Sequence, residues 1–177
     1  MYSTILLAAA LQRWDRYSTH ALAARDIAAV LAKSTTQHLH VLSVYDYDFK
    51  VPTSGLPPEM VAQLREDGWN RTNIFMERKM DDYIAPLKEA TGIKVTKILR
   101  VGDPRHVVVQ VVADLKADLL VIGSHSKRSL FDISLGGTAK HLSQQASCAV
   151  VLVSPQGEVE KTSSLTAETP EALGHNL

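Results

Sequence analysis

The sequence predicts one α/β domain, a five-stranded parallel sheet with helices on both faces. Three observations carry that prediction. Short apolar runs alternate along the chain with stretches of helical periodicity, the order that builds a parallel sheet with crossover helices. The length, 177 residues, suits one domain with little left for a second. The composition, 45% hydrophobic and 21% charged, is that of an ordinary globular chain. Crossovers in such a sheet are right-handed, and ligands sit beyond the carboxyl ends of strands where strand order reverses.

Tyr2 to Leu11 is a continuous apolar run and reads as a buried strand. Trp14 to Thr19 is a polar connection. His20 to Lys33 repeats apolar residues at helical spacing and is rich in alanine, the best helix former. Leu39 to Tyr47 is a second strand. Asp48 to Pro58 holds Pro52, Gly55, Pro57 and Pro58 and reads as a loop. A long helix follows from Glu59 to about Ala90. Its inward face is expected from Met60, Val61, Leu64, Ile74, Phe75, Met80, Ile84 and Leu87. Gly68 and Pro86 are candidate interruptions, and Gly92 caps the end. Lys94 to Val101 is the third strand. Asp103 caps the next helix and Pro104 suits its first turn, with an end near Lys116. Leu119 to Ile122 is the fourth strand, 137–145 the last helix, and Cys148 to Val153 the fifth strand.

The charge balance excludes some function classes. Nineteen basic and nineteen acidic residues give a formal net charge of zero, so no sequence-independent grip on nucleic acid is advertised. No apolar run reaches membrane-spanning length, and the start has no secretory signal pattern. One cysteine, Cys148, cannot form an internal disulfide, so a cytoplasmic location is expected. The zero hides an asymmetry. Residues 155–177 carry Lys161 against Glu158, Glu160, Glu168 and Glu171, a net −3. Residues 1–154 carry the compensating +3. The expected organisation is a folded domain over 1–154 and a flexible acidic tail over 155–177.

The chemistry points to the loop after Ile122, which leaves the carboxyl end of a strand. It runs Gly123-Ser-His-Ser-Lys-Arg-Ser and ends at Gly136-Gly137-Thr138. Glycines let backbone amides approach an anion, and a helix N-terminus adds unpaired N–H groups. Ser124, Ser126 and Thr138 offer hydroxyls; Lys127 and Arg128 add positive charge. On these residues alone, phosphate binding and an ordinary strand-to-helix turn both stand.

The stretch ADLLVIGSHSKRSLF, followed by LGGTAKHLSQQASCAVVLV, resembles the universal stress protein family. ILLAAA, LHVLSVYD and VGDP fall in that family's order, and the likeness covers about residues 2–154. The resemblance implies a Rossmann-like sheet of the adenine nucleotide alpha hydrolase type, strand order 3-2-1-4-5, and a homodimer. It implies ATP or another adenine nucleotide as ligand, held at a G-x2-G-x9-G loop followed by Ser or Thr. Carried onto this chain, the binding residues are Val44 at the adenine, with Gly123, Ser124, His125, Ser126, Gly136, Gly137 and Thr138 at the phosphates. Three positions depart from the pattern. Ser126 replaces the second glycine, and Gly137 takes the hydroxyl position with Thr138 one residue later. Ala10 stands where nucleotide-binding members end the first strand with an Asp. One neutral hydrogen bond contributes only about 0.5–1.5 kcal/mol, so its loss alone need not abolish binding.

Other constellations are weaker. Ser124-x-x-Lys127 lacks the companion motifs of penicillin-recognising enzymes. His38 and His40 share a strand face and read as surface histidines without a third metal ligand. Asp46 with Asp48, and Asp81 with Asp82, read as solvated carboxylates, and Cys148 as a buried structural thiol. In the implied order, the strand holding Ala149, Val150, Val151, Leu152 and Val153 lies at the sheet edge. Pairing with the same strand of a second copy would satisfy its open backbone groups; a tail folded over the edge is the alternative. With no convincing catalytic base, the expectation is a non-enzymatic cytoplasmic regulator, homodimeric and acting on a protein partner, with neither nucleic acid nor membrane involved. The rival is an adaptor or small-ligand receptor that has lost the nucleotide.

Overall fold

The computed structural model describes residues 2–11, 16–35, 38–47, 50–51, 54–124, 137–155 and 159–162. The elements in order are β1 (Thr4–Ala8), α1 (Thr19–Thr35), β2 (His38–Tyr45), α2 (Pro58–Thr91) and β3 (Lys94–Val101). α3 (Pro104–Leu115), β4 (Leu119–Gly123), α4 (Gly137–Gln145), β5 (Ala149–Val153) and β6 (Val159–Thr162) follow. β1 is shorter than the apolar run that encodes it. Its two neighbours pair with it only over this span, His38–Leu42 on one side and Leu119–Ile122 on the other. At its start the Asp118 carboxylate accepts hydrogen bonds from the Ser3 and Thr4 backbone N–H groups, pinning β1 to the start of β4.

Five strands are parallel, in the order β3-β2-β1-β4-β5. Because successive side chains alternate across a strand, each buried strand feeds two cores. Ile5, Leu7, Leu39, Val41, Leu119 and Val121 pack under α1 and α2, against Ala24, Ala28, Met80, Tyr83 and Ile84. Leu6, Leu42, Leu120, Ile122, Val150 and Leu152 pack under α3 and α4, against Val108, Val112 and Leu142. The Tyr83 hydroxyl donates to the Ala21 carbonyl at 2.6 Å, tying α2 to the first turns of α1.

The sheet does not end at β5. Residues 159–162 return antiparallel along it, from Val153 opposite Val159 to Val150 opposite Thr162. The segment 155–177 therefore contains a strand, and Ala149–Val153 is covered as in the alternative of a tail folded over the edge. The physical cause is the same one that made the edge a hazard: open N–H and C=O groups recruit a strand, and the nearest is in the chain itself.

The long helix also differs from its expected face. At 34 residues α2 spans about 51 Å, while an eight-residue strand spans about 26 Å. Only its second half can lie on the sheet. Met76, Met80, Tyr83, Ile84 and Leu87 are buried there, whereas Met60 and Leu64 in the overhanging half are exposed. Ile74 and Phe75, between Asn73 bonded to Tyr45 and the buried Met76, are exposed on the outer side of the helix. α2 continues through both Gly68 and Pro86, and ends at Gly92 in the left-handed region, φ 65°. Among the described residues no helix is long and apolar enough to cross a membrane.

Candidate functional site

In the order β3-β2-β1-β4-β5 the chain winds one way from β1 through β3, then jumps across to β4. The reversal lies between β1 and β4, and a crevice opens at their carboxyl ends. A cavity of about 260 Å³ sits there. β1 and the residues just after it supply the Ala8, Ala9 and Ala10 wall, β2 supplies Leu42 and Val44, and β4 supplies Ile122 and Gly123. Pro104 and Val108 of α3 close one side. Gly137, Thr138, Ala139 and Leu142 of α4 close another, and His20 and Ala21 of α1 complete the rim. The lining is mostly apolar, with His20 and Thr138 as its polar side chains.

Four sequence-predicted residues, Val44, Gly123, Gly137 and Thr138, meet around this cavity. Ser124 is buried beside them without lining it; its backbone N–H donates to the Val153 carbonyl at 2.8 Å and extends the β4–β5 ladder. His125, Ser126 and Gly136 lie outside the described residues, as do Asp15, Asp48, Lys127 and Arg128. The two described glycines play different parts. A Cβ on Gly137 would meet nothing within 4 Å, so the backbone there is open to a ligand. A Cβ on Gly123 would lie 2.6 Å from the His20 carbonyl oxygen and 2.9 Å from its ring. Gly123 is therefore required for α1 to seat its first turn against β4, whatever else it does.

His20 is the residue that sequence reasoning missed. It is buried, and its Nε2 shares a hydrogen bond of 3.0 Å with the Ser18 hydroxyl. The same hydroxyl accepts from the Ala21 N–H at 3.4 Å, at the N-terminal end of α1. The available signal was positional. The helix that follows a strand begins at that strand's carboxyl end, so its first turn faces the crevice. Pro104 and Val108 could have been found the same way. Asp103 fixes their helix: its carboxylate accepts the Arg105 N–H at 2.9 Å and the Arg105 side chain at 2.6 Å. The Arg105 bonds hold the Asp103 carboxyl down to about 2. Ala10 lines the cavity, and the described lining residues include no carboxylate.

The remaining candidates sit elsewhere. His38 and His40 stack with centroids 4.2 Å apart, but His40 is buried rather than on the surface. Its Nδ1 has no partner among the described residues, and burial first, then His38 and Lys94, lowers its pKa. No group of three metal-ligating side chains occurs among the described residues. Asp81 engages Lys97, joining α2 to β3. Burial pushes the half-exposed Cys148 thiol up to about 11, the range of a thiol that stays protonated.

Comparison with known proteins gives a consistent result. The profile of the universal stress protein family matches residues 1–154. The universal stress protein MJ0577 of Methanocaldococcus jannaschii is 30% identical over 93 residues, 52% of this chain and 57% of its own length, so the match takes in little more than half of that relative. A second from the same organism, MJ0531, is 26% identical over 126 residues, 70% of this chain and 68% of its own. The solved structure of MJ0577 superposes with a TM-score of 0.66 at 23% identity, over 87% of this chain and 96% of that one. A universal stress protein solved in complex with cAMP gives 0.56 at 20% identity, over 86% of this chain and 97% of that one. A family protein from Arabidopsis thaliana solved with AMP bound gives 0.53 at 16% identity, over 86% and 91%. With its profile, its strand order and its crevice in agreement, the chain belongs to the universal stress protein family.

Proposed function

We propose that the crevice between β1 and β4 binds an adenine nucleotide and that the protein is a ligand-responsive regulator rather than an enzyme. The observation that carries this reading is the division of the cavity. Its β2–α3 side, with Leu42, Val44, Pro104 and Val108, is an apolar slot of the kind a purine ring fills. Its β4–α4 side brings Gly123, Gly137 and Thr138 to the N-terminus of α4, where backbone N–H groups favour anions. Relatives of the same fold were solved with cAMP and with AMP, ligands of this shape. The only titratable side chain among the described lining residues is His20, a thin set for hydrolysis. One cysteine with no partner for an internal disulfide fits a reducing compartment, and we read the protein as cytoplasmic.

A second reading rests on Ala10. With no carboxylate among its described lining residues, the mostly apolar cavity also suits an uncharged ring compound, with the protein as a small-ligand receptor or adaptor. Calorimetric titration with ATP, ADP, AMP and cyclic AMP separates the two. Saturable heat with at least one of them is expected. No heat and no thermal shift at millimolar nucleotide would exclude the first reading.

A further inference from the structure

The outer face of α2 carries an inference independent of the crevice. At about 100° per residue, Met60, Leu64, Asp67, Arg71, Ile74 and Arg78 fall on one side of the helix, with Phe75 beside Ile74. The buried Met76, Met80, Tyr83 and Leu87 fall on the other. Every residue of the outer set is exposed, the apolar ones included. The six follow one another at steps of four and three, the spacing of a coiled-coil seam, over a length of about 27 Å. Asp67 and Arg71 stand at the centre, and neither has an ion-pair partner among the described residues. The Lys79 ammonium, 5.3 Å from the centroid of the Phe75 ring, steadies that ring.

This face is complementary to itself when reversed. Across a two-fold axis at the level of Trp69, Leu64 meets Ile74 and Phe75 of a second copy, Asp67 meets Arg71, and Met60 lies along the aliphatic stem of Arg78. A parallel pair would instead set Asp67 against Asp67 and Arg71 against Arg71. We infer that the outer face of α2 binds the same face of a second copy of this chain, antiparallel. Two reciprocal Asp67–Arg71 ion pairs form its centre, and layers of Leu64, Ile74 and Phe75 flank them. α2 packs on β3 and α1, at the far end of the sheet from β5. The contact therefore neither uses nor blocks the β5 edge, and copies joined at that edge would still present one such face each.

Charge exchange in the full chain tests this contact, with mass read by sedimentation equilibrium. One helical seam is a small interface with micromolar affinity, so masses are compared at about 100 μM. Asp67→Arg sets like charges at both central pairs, and Arg71→Asp does the same with the opposite sign. Each variant alone is expected to associate at least tenfold more weakly, with about half the mass of the unaltered protein. Mixed in equal amounts they are expected to recover that mass, because each supplies the charge the other lacks. Asp67→Arg with Arg71→Asp in one chain restores both pairs and is expected to recover it too. Leu64→Gln with Ile74→Gln removes the apolar layers and is expected to lower the mass as the single charge variants do. All four positions are exposed, so circular dichroism is expected to stay unchanged. Equal masses for Asp67→Arg and the unaltered protein would overturn self-pairing and leave the face to a helix of another protein. A loss of mass that neither the mixture nor the double exchange restores would overturn the antiparallel pairing.

Discussion

At the scale of single residues, Gly123 and His20 define one contact with two consequences. A methyl group at Gly123 meets the backbone carbonyl of His20 at 2.6 Å, and backbone cannot swing aside as a flexible side chain can. Gly123→Ala is expected to cost about 1–3 kcal/mol in urea unfolding, the range for overpacking. Gly137→Ala, with open space around its Cβ, is expected to stay within about 0.5 kcal/mol. Equal losses in both would mean that Gly123 is not the seat of α1. His20 itself faces the cavity, so His20→Ala is expected to weaken nucleotide binding by about two- to tenfold, the value of one neutral hydrogen bond. His20→Gln should recover much of it; equal weakening by both would leave packing as the only role. His40 gives a pH dependence instead. Its folded pKa lies below the ordinary histidine value, so the unfolded chain binds the proton more readily. Its contribution is complete above about pH 6.5 and is lost as pH falls toward the lowered folded value. His40→Leu, which removes the buried Nδ1, is expected to flatten that part of the stability profile. An unchanged slope below pH 6.5 would put the proton uptake on another group.

At the scale of elements, helix starts carry the site, because the first turns of α1, α3 and α4 all reach the crevice. The start of α3 depends on Asp103, whose side chain caps the helix that presents Pro104 and Val108. Asp103→Ala is expected to lower stability and loosen that wall, weakening ligand binding with it, while Asp103→Asn keeps a capping oxygen and most of both. A carboxyl held at about 2 contributes stability that is present above the ordinary carboxylate value and is lost as pH falls through about 2, and the alanine variant should lack that loss. Ligand affinity unchanged in Asp103→Ala would separate the cap from the pocket. The elements were legible in the sequence wherever burial wrote a period into it. Lys94–Val101 was read with its observed bounds, because alternation is a local signal, and the last helix was placed at about 137–145, where it lies. β6 was legible only as the alternative of a tail folded over the edge, and its residues were not, since Val-Glu-Lys-Thr joins the sheet by its backbone, which leaves no hydrophobic pattern. The exposed face of α2 was misread for a related reason: the sheet is too short to reach Met60 and Leu64, and Ile74 and Phe75, beside the buried Met76, are turned to the outer side of the helix. The site divided in the same way. The Gly123–Thr138 motif marked the phosphate side, while His20, Ala8 and Pro104 became site residues only when the strand order brought them together.

At the scale of the whole molecule, the two faces of the sheet are filled unequally. The face under α1 and α2 is closed by large side chains such as Met76, Met80, Tyr83 and Leu87. The face under α3 and α4 shares Leu42, Val44, Val108, Ile122, Ala139 and Leu142 with the walls of the 260 Å³ cavity. The second core is thus open at its top, and a bound ligand would complete it. Binding of this kind couples to global stability: at a hundred times its dissociation constant a ligand adds about 2.7 kcal/mol. For a chain of this size that is a rise of about 5–11 °C in Tm. The same geometry says what filling the space from within should do. Ala139 lies on α4 in both the core and the cavity wall, so Ala139→Leu projects three more carbons into the opening. Each methylene that stays buried contributes about 0.8 kcal/mol. The unliganded Ala139→Leu protein is therefore expected to melt no lower than the unaltered one, and the thermal shift with nucleotide is expected to vanish. Scanning calorimetry with and without ATP reads both quantities. A lower Tm together with a preserved nucleotide shift would place the ligand outside this cavity and make the gap beneath α4 ordinary packing.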